Sequence, residues 1–172
     1  QAGVPATATD AEKKAPALVA MNNTMTRVNG IFQKDFGIKA VIQDLPNIIY
    51  IDPASDPYTG SLNLQLQQTL TQQVGNAGYD MGHVFNAAGG NGNAGSIGST
   101  CVDPATATSL AKGSAFTQNT NPTGDAFDID YVAHEMGHQL GGNHTFSHNS
   151  EGSGANVEPG GGTTIMAYAG IT

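Results

Sequence analysis

Eleven residues at positions 134 to 144, HEMGHQLGGNH, bring three histidines and a glutamate together in a spacing that suits metal chemistry. A helix advances about 100° per residue, so His134 and His138 stack on one face and aim their imidazoles at a common point. His144 lies six residues further on, and a continuing helix would carry it to a different face. The helix must therefore stop and turn. Gly141 and Gly142 stand where the stop is needed, because glycine enters the left-handed conformation of a helix C-cap at little steric cost. Three neutral nitrogen ligands with a fourth position left to water are the pattern of catalytic zinc, since structural zinc sites are normally closed by four protein ligands. Glu135, beside the first histidine, is then the candidate general base for that water.

The elements that must position these residues are partly legible in the hydrophobic spacing. Ile129, Val132, Ala133, Met136 and Leu140 predict the core-facing stripe of the motif's helix, and Asp125, Asp128 and Asp130 crowd its N-terminal end, where negative charge suits the dipole. Upstream, Leu18, Met21, Met25, Val28, Phe32 and Phe36 recur at steps of three and four, which predicts a long amphipathic helix ended by Gly37. Residues 1 to 10 read as irregular. Ile38, Ala40 and Ile42 alternate as a strand, NIIYI at 47 to 51 reads as a second and HVF at 83 to 85 as a third. Leu62, Leu66, Leu70 and Val74 mark one face of a second helix whose glutamines would face water. The glycine-rich stretch 86 to 102 lacks the G-K-[ST] ending of a phosphate loop and the aspartate of a calcium-binding nonapeptide repeat.

The longer pattern H-E-x-x-H-x-x-G-x-x-H is far more specific than its first five residues, and it has a second test in a downstream methionine turn. TTIMAYAG at 163 to 170 supplies Met166, with Tyr168 two positions later. With these residues the chain resembles the metzincin clan of zinc endopeptidases, and YDMGHVFNAAGG, GDAFDIDYVAHEMGHQLGGNHTF and EPGGGTTIMAYAGI bring it closest to bacterial reprolysin-like peptidases. Thr145, after the third histidine, is neither the proline of serralysins, the glutamate of astacins nor the aspartate usual in animal reprolysins. H-T-F and M-x-Y are also the wording of the pappalysins.

The resemblance implies that His134, His138 and His144 bind zinc, that Glu135 is the base and acid, and that Met166 forms an apolar floor beneath the metal. It implies that Tyr168 ligates zinc or hydrogen-bonds the oxyanion; a packed core aromatic is the competing interpretation of that tyrosine. The implied fold is an α+β metzincin catalytic domain with a mixed twisted sheet and two long helices, the active-site helix among them. It would be one domain over 1–172: an N-terminal subdomain, 1–144, ending with the zinc motif, and a short irregular C-terminal subdomain, 145–172, with the Met-turn. A polypeptide substrate would lie extended along an edge strand, for which GSIGSTCV occupies the matching place. Ala167, Ala169, Gly170 and Ile171 would wall a roomy apolar specificity pocket. The resemblance also implies secretion and a bacterial source. The clan's first strand and final helix have no clear copy here, and a chain opening on Gln1 suggests an excised or self-cleaved core.

Composition narrows the partners. The 172 residues and 38% hydrophobic content suit one cored domain, expected to be a monomer. A net charge of −8 argues against nucleic acid, and no apolar run approaches the roughly 20 residues needed to cross a bilayer. Five of the six basic residues fall in the first 39 positions, leaving Lys112 against eleven carboxylates. That imbalance could steer a positive substrate, or serve only as a solubilising surface. Cys101 is alone, so no disulfide framework exists within these residues, and it could pair with a cysteine outside this segment. His83 and His148 read as strand and loop residues outside the metal set. Glu151 and Glu158 could ligate calcium, although loop carboxylates are usually just solvated.

Overall fold

The computed structural model describes residues 4–147 and 155–168. His148, Glu151, Ala169, Gly170 and Ile171 lie outside the described residues. The architecture is α+β: helices packed around a small mixed sheet.

Helix α1, Asp10–Asp35, begins earlier than its apolar stripe suggests. Thr9 and Glu12 form a reciprocal capping box, which satisfies the first orphan amides and lets the helix start eight residues before Leu18. Phe36 and Ile38 amides both return to the Phe32 carbonyl, and Gly37 takes φ +68° between them, closing the helix as its sequence predicts. Met25, Val28 and Phe32 pack against Phe127, Val132, Ala133 and Met136, so α1 and the motif's helix share one core.

The strand predicted at 38 to 42 does not form. The Asn29 side chain takes both backbone groups of Ala40, donating to its carbonyl and accepting from its amide at 2.8 Å each. Those are the groups a sheet ladder would need, while Ala40 and Ile42 still pack inward on α1. The strand predicted at 47 to 51 is replaced by a 3-10 turn, Pro46–Ile48, because Pro46 supplies a helical φ and no ladder donor.

Helix α2, Leu62–Gln73, buries Leu66 and Leu70 with Tyr79 in a second cluster. Its glutamines do not all face water. Gln67 is 2% exposed; its Oε1 accepts from the Ala111 and Gly113 amides and its Nε2 donates to the Tyr79 hydroxyl.

Strands β1 (His83–Asn86), β2 (Gly90–Asn93) and β3 (Ala115–Asn119) form one sheet in the order β1-β3-β2. β1 runs parallel to β3 and β2 antiparallel, so β2 is an edge of the described sheet. The expected edge strand at GSIGSTCV is therefore misplaced: the edge lies at 90–93, and residues 96–101 form turns.

The motif's helix is not regular. A short α3, Asp125–Phe127, runs into a π-helical stretch, Asp128–Ala133, and then α4, His134–Gln139. The wider π turn shifts the phase of the apolar stripe. Val132, Ala133 and Met136 reach the core as predicted, but Ile129 does not join it. Of the acids at its start, Asp128 is buried and serves a lateral contact: Arg27 Nε lies 2.9 Å from its Oδ2 and Thr24 Oγ1 donates to its Oδ1 at 2.7 Å, while Arg27 also pairs with Asp125.

Candidate metal centre

α4 carries His134 and His138 one turn apart on a buried face. The helix then ends as its glycines require. Gly141 adopts φ +107° and donates to the His138 carbonyl at 2.9 Å, and Gly142 donates to the Gly137 carbonyl at 2.9 Å. A distant segment completes the cap: the Gly98 amide donates to the His138 carbonyl and the Thr100 amide and hydroxyl to the Gln139 carbonyl. That is the function of GSIGST here, because carbonyls at a buried helix end need donors.

The turn brings His144 back. The three Nε2 atoms lie 3.0 Å (His134 to His138), 3.1 Å (His134 to His144) and 3.1 Å (His138 to His144) apart. His134 Nδ1 lies 2.7 Å from the Ile165 carbonyl and His138 Nδ1 2.6 Å from the Gly142 carbonyl. A carbonyl only accepts, so in both rings Nδ1 carries the proton and Nε2 presents a bare lone pair. Lone pairs facing one another at this range repel, and a shared cation turns the repulsion into coordination. A tetrahedral zinc with bonds of roughly 2.0–2.1 Å sets its ligands about 3.3 Å apart, a few tenths of an ångström from what is seen. The donor set fits the ion.

Glu135 is 7% exposed and sits beneath the edge strand β2. A Cβ placed on Gly92 would come within 2.6 Å of its Cγ and Oε1, so only glycine leaves room for this carboxylate. Burial pushes the Glu135 carboxyl up to about 7, against the pull of the Ala94 amide. A dication nearby would draw that value down again.

Tyr168 follows the 3-10 turn Ile165–Ala167 in a left-handed conformation, φ +59°. Its ring stacks on His134 at 5.2 Å and lies 4.5 Å from His144. Phe146, 1% exposed, stacks on both His144 and Tyr168 at 5.1 and 4.9 Å. Met166 reaches the helix end: its sulfur lies 2.6 Å from where a Cβ on Gly137 would stand, and its methyl 3.4 Å from one on Gly142. Gly137 and Gly142 are thus the concave surface that receives Met166. A glycine inside a helix costs about 1 kcal/mol relative to alanine, and that cost was the available sign of a close approach.

Other expectations need correction. Ala167 is fully buried beside Gly162 and walls no open pocket. Glu158 is bonded to Thr145, Thr163 and Thr164, which leaves a calcium role without support. Lys112, 4% exposed, is bound internally to Asp103, the Asn76 carbonyl and the Tyr79 ring. His83 is a strand residue as expected, bonded to Thr117 at 2.8 Å and facing Gln139 at 3.4 Å. Gln139, which sequence reasoning missed, is fully buried and ties α4 to the Gly82 and Lys112 carbonyls.

Residues 7–172 match the model of metallo-peptidase family M12B, reprolysin-like. The chain belongs to this family. No curated protein and no solved structure matches it. Peptidases of this family use zinc, and in this reprolysin-like chain His134, His138 and His144 are the three-residue set able to hold it among the described residues.

Proposed function

We propose that the chain is a secreted, monomeric zinc endopeptidase that cuts internal peptide bonds of an extended polypeptide. The observation that carries this is the convergence of three Nε2 atoms at 3.0–3.1 Å, with the buried Glu135 carboxylate of the same helical turn lying under an edge strand.

When bound by the three histidines, zinc supplies a Lewis acid that lowers the pKa of a water to about 7 and polarises a carbonyl. Glu135 accepts a proton as the water oxygen attacks the scissile carbonyl carbon, and delivers it to the amine nitrogen as the C–N bond breaks. The carboxylate thus begins and ends unprotonated. Tyr168, stacked on His134 and in contact with His144, hydrogen-bonds the developing oxyanion. Met166 supports the ligands from below, where Gly137 and Gly142 admit it. The substrate backbone pairs with β2, whose Gly90 and Gly92 permit close approach.

The test is an end-blocked unstructured protein incubated with the parent chain and with Glu135→Gln, zinc being measured in both. Internal cleavage by the parent alone, at equal zinc content, is the expected result. Equal turnover in the variant would remove Glu135 from its role, and zinc without cleavage in either would mark a metal-bearing binding module.

A further inference from the structure

Residues 145–168 join the third histidine to Met166 and Tyr168, yet the described part of this segment holds little regular structure. It contains a single 3-10 turn and one β-bridge, between Phe146 and Glu158. Neither apolar core includes Glu158 or the threonines around it. Ile165 packs on the first core and Phe146 stacks on His144 and Tyr168, and polar contacts add to these in setting the register between His144 and the turn at Ile165–Ala167.

Glu158 is bonded in the right way to do so. Its Oε1 accepts from the Thr145 and Thr164 hydroxyls at 2.5 Å each, and its Oε2 accepts from the Thr163 and Thr164 amides at 2.8 and 3.2 Å. Its own amide donates to the Thr145 carbonyl at 2.8 Å, and the Thr145 amide donates in turn to the Met166 carbonyl at 3.2 Å. One carboxylate therefore clamps the residue after His144 to the two residues before Ile165. The Ile165 carbonyl orients His134, and Met166 and Tyr168 follow directly.

We propose that Glu158 is a positioning residue of the zinc site, holding His144 in register with the turn so that the three nitrogens already converge before the metal arrives. This rests on the zinc-peptidase assignment above. Hydrogen bonds from Thr145, Thr163 and Thr164 hold the Glu158 carboxyl down to about 2, so it remains an acceptor at neutral pH. Thr145 also meets the Thr164 hydroxyl directly at 3.3 Å, but Glu158 alone gathers Thr145, Thr163 and Thr164 onto one group.

Zinc affinity of the metal-free parent, Glu158→Ala, Glu158→Gln and Thr145→Val, by chelator competition, tests this, with visible spectra of the cobalt-loaded proteins. Partners of metal ligands typically carry about 10–100-fold in metal affinity, and a loss of that size is expected for Glu158→Ala, with an altered cobalt spectrum. Glu158→Gln, which keeps one acceptor oxygen while the threonine hydroxyls can turn to accept, should recover much of the loss. Thr145→Val removes the hydroxyl's contacts to Glu158 and Thr164 and should cost several-fold, and combining it with Glu158→Ala should cost less than the two losses multiplied, since both weaken the same clamp. Parent affinity and an unchanged cobalt spectrum in Glu158→Ala would overturn the proposal, as would unchanged affinity in Thr145→Val should the alanine variant not fold. A parent that binds no zinc would instead bring down the peptidase assignment, and the positioning role with it.

Discussion

Gly92→Ala separates the site's chemistry from its scaffold. The new methyl would stand 2.6 Å from Glu135 Cγ and Oε1 and 2.9 Å from Cδ. Ordinary carbon contact is about 3.5 Å, so the carboxylate must retreat by roughly 0.9 Å. The yielding group is a flexible side chain and not backbone, which keeps the cost in stability to about 1 kcal/mol. Catalysis is less forgiving: a displacement of about 1 Å from reacting geometry can cost about 100-fold in rate, or roughly 2.7 kcal/mol of transition-state stabilisation. His134, His138 and His144 are untouched by the methyl. The measurements are kcat and KM on an end-blocked, internally quenched peptide, bound zinc, and urea unfolding. The expected result is kcat down about 100-fold at full zinc content, with the unfolding midpoint little changed. A variant that turns over like the parent while Glu135→Gln is inactive would show that the working carboxylate does not lie under β2, and the positional reasoning would fail.

Two further outcomes follow from the packing around the site. Burial pushes His83 down to about 4 from an ordinary 6.5, so the unfolded chain binds the proton that the folded chain refuses. Stability should be full above pH 6.5 and fall as pH drops toward 4; at pH 5 the loss is on the order of 2 kcal/mol, and urea unfolding of His83→Gln at pH 7 and pH 5 should show a smaller difference than the parent. Arg27→Ala leaves the buried Asp128 carboxylate with Thr24 as its remaining side-chain partner, while the exposed Asp125 pairing is worth little. A destabilisation of about 2 kcal/mol is expected in urea unfolding, and a change below about 0.5 kcal/mol would show that Arg27 does not carry the junction between α1 and the active-site helix.

The three-histidine set was legible in the sequence because its geometry is local. A four-residue step on a helix and a glycine stop suffice to bring three imidazoles together, and each depends on backbone preferences within eleven positions. The long helix ending at Gly37 was readable for the same reason. Its true start was also written locally, in Thr9 and Glu12, but lay upstream of the apolar stripe that drew attention.

Position after position, the errors fall where a partner distant in sequence decides. Alternation at 38 to 42 marked Ala40 and Ile42 for packing but not the exposed Ile38, and Asn29 takes the bonds a strand would use. Gly90–Asn93 has no strand propensity at all; it becomes the edge because β3 offers a ladder and Glu135 needs the space that Gly92 leaves. Gln67 and Gln139 look like surface amides until folding brings them main-chain groups from elsewhere in the sequence to bond. Glu158 is the clearest case, since no periodicity links it to Thr145 or Thr164. The sequence by itself determined the metal chemistry, because ligand identity and short-range helix geometry are set by neighbours along the chain. Only the tertiary structure decided that the Glu135 carboxylate is buried, which strand covers it and that Glu158 gathers Thr145, Thr163 and Thr164, because backbone groups and charges must find partners wherever the fold places them.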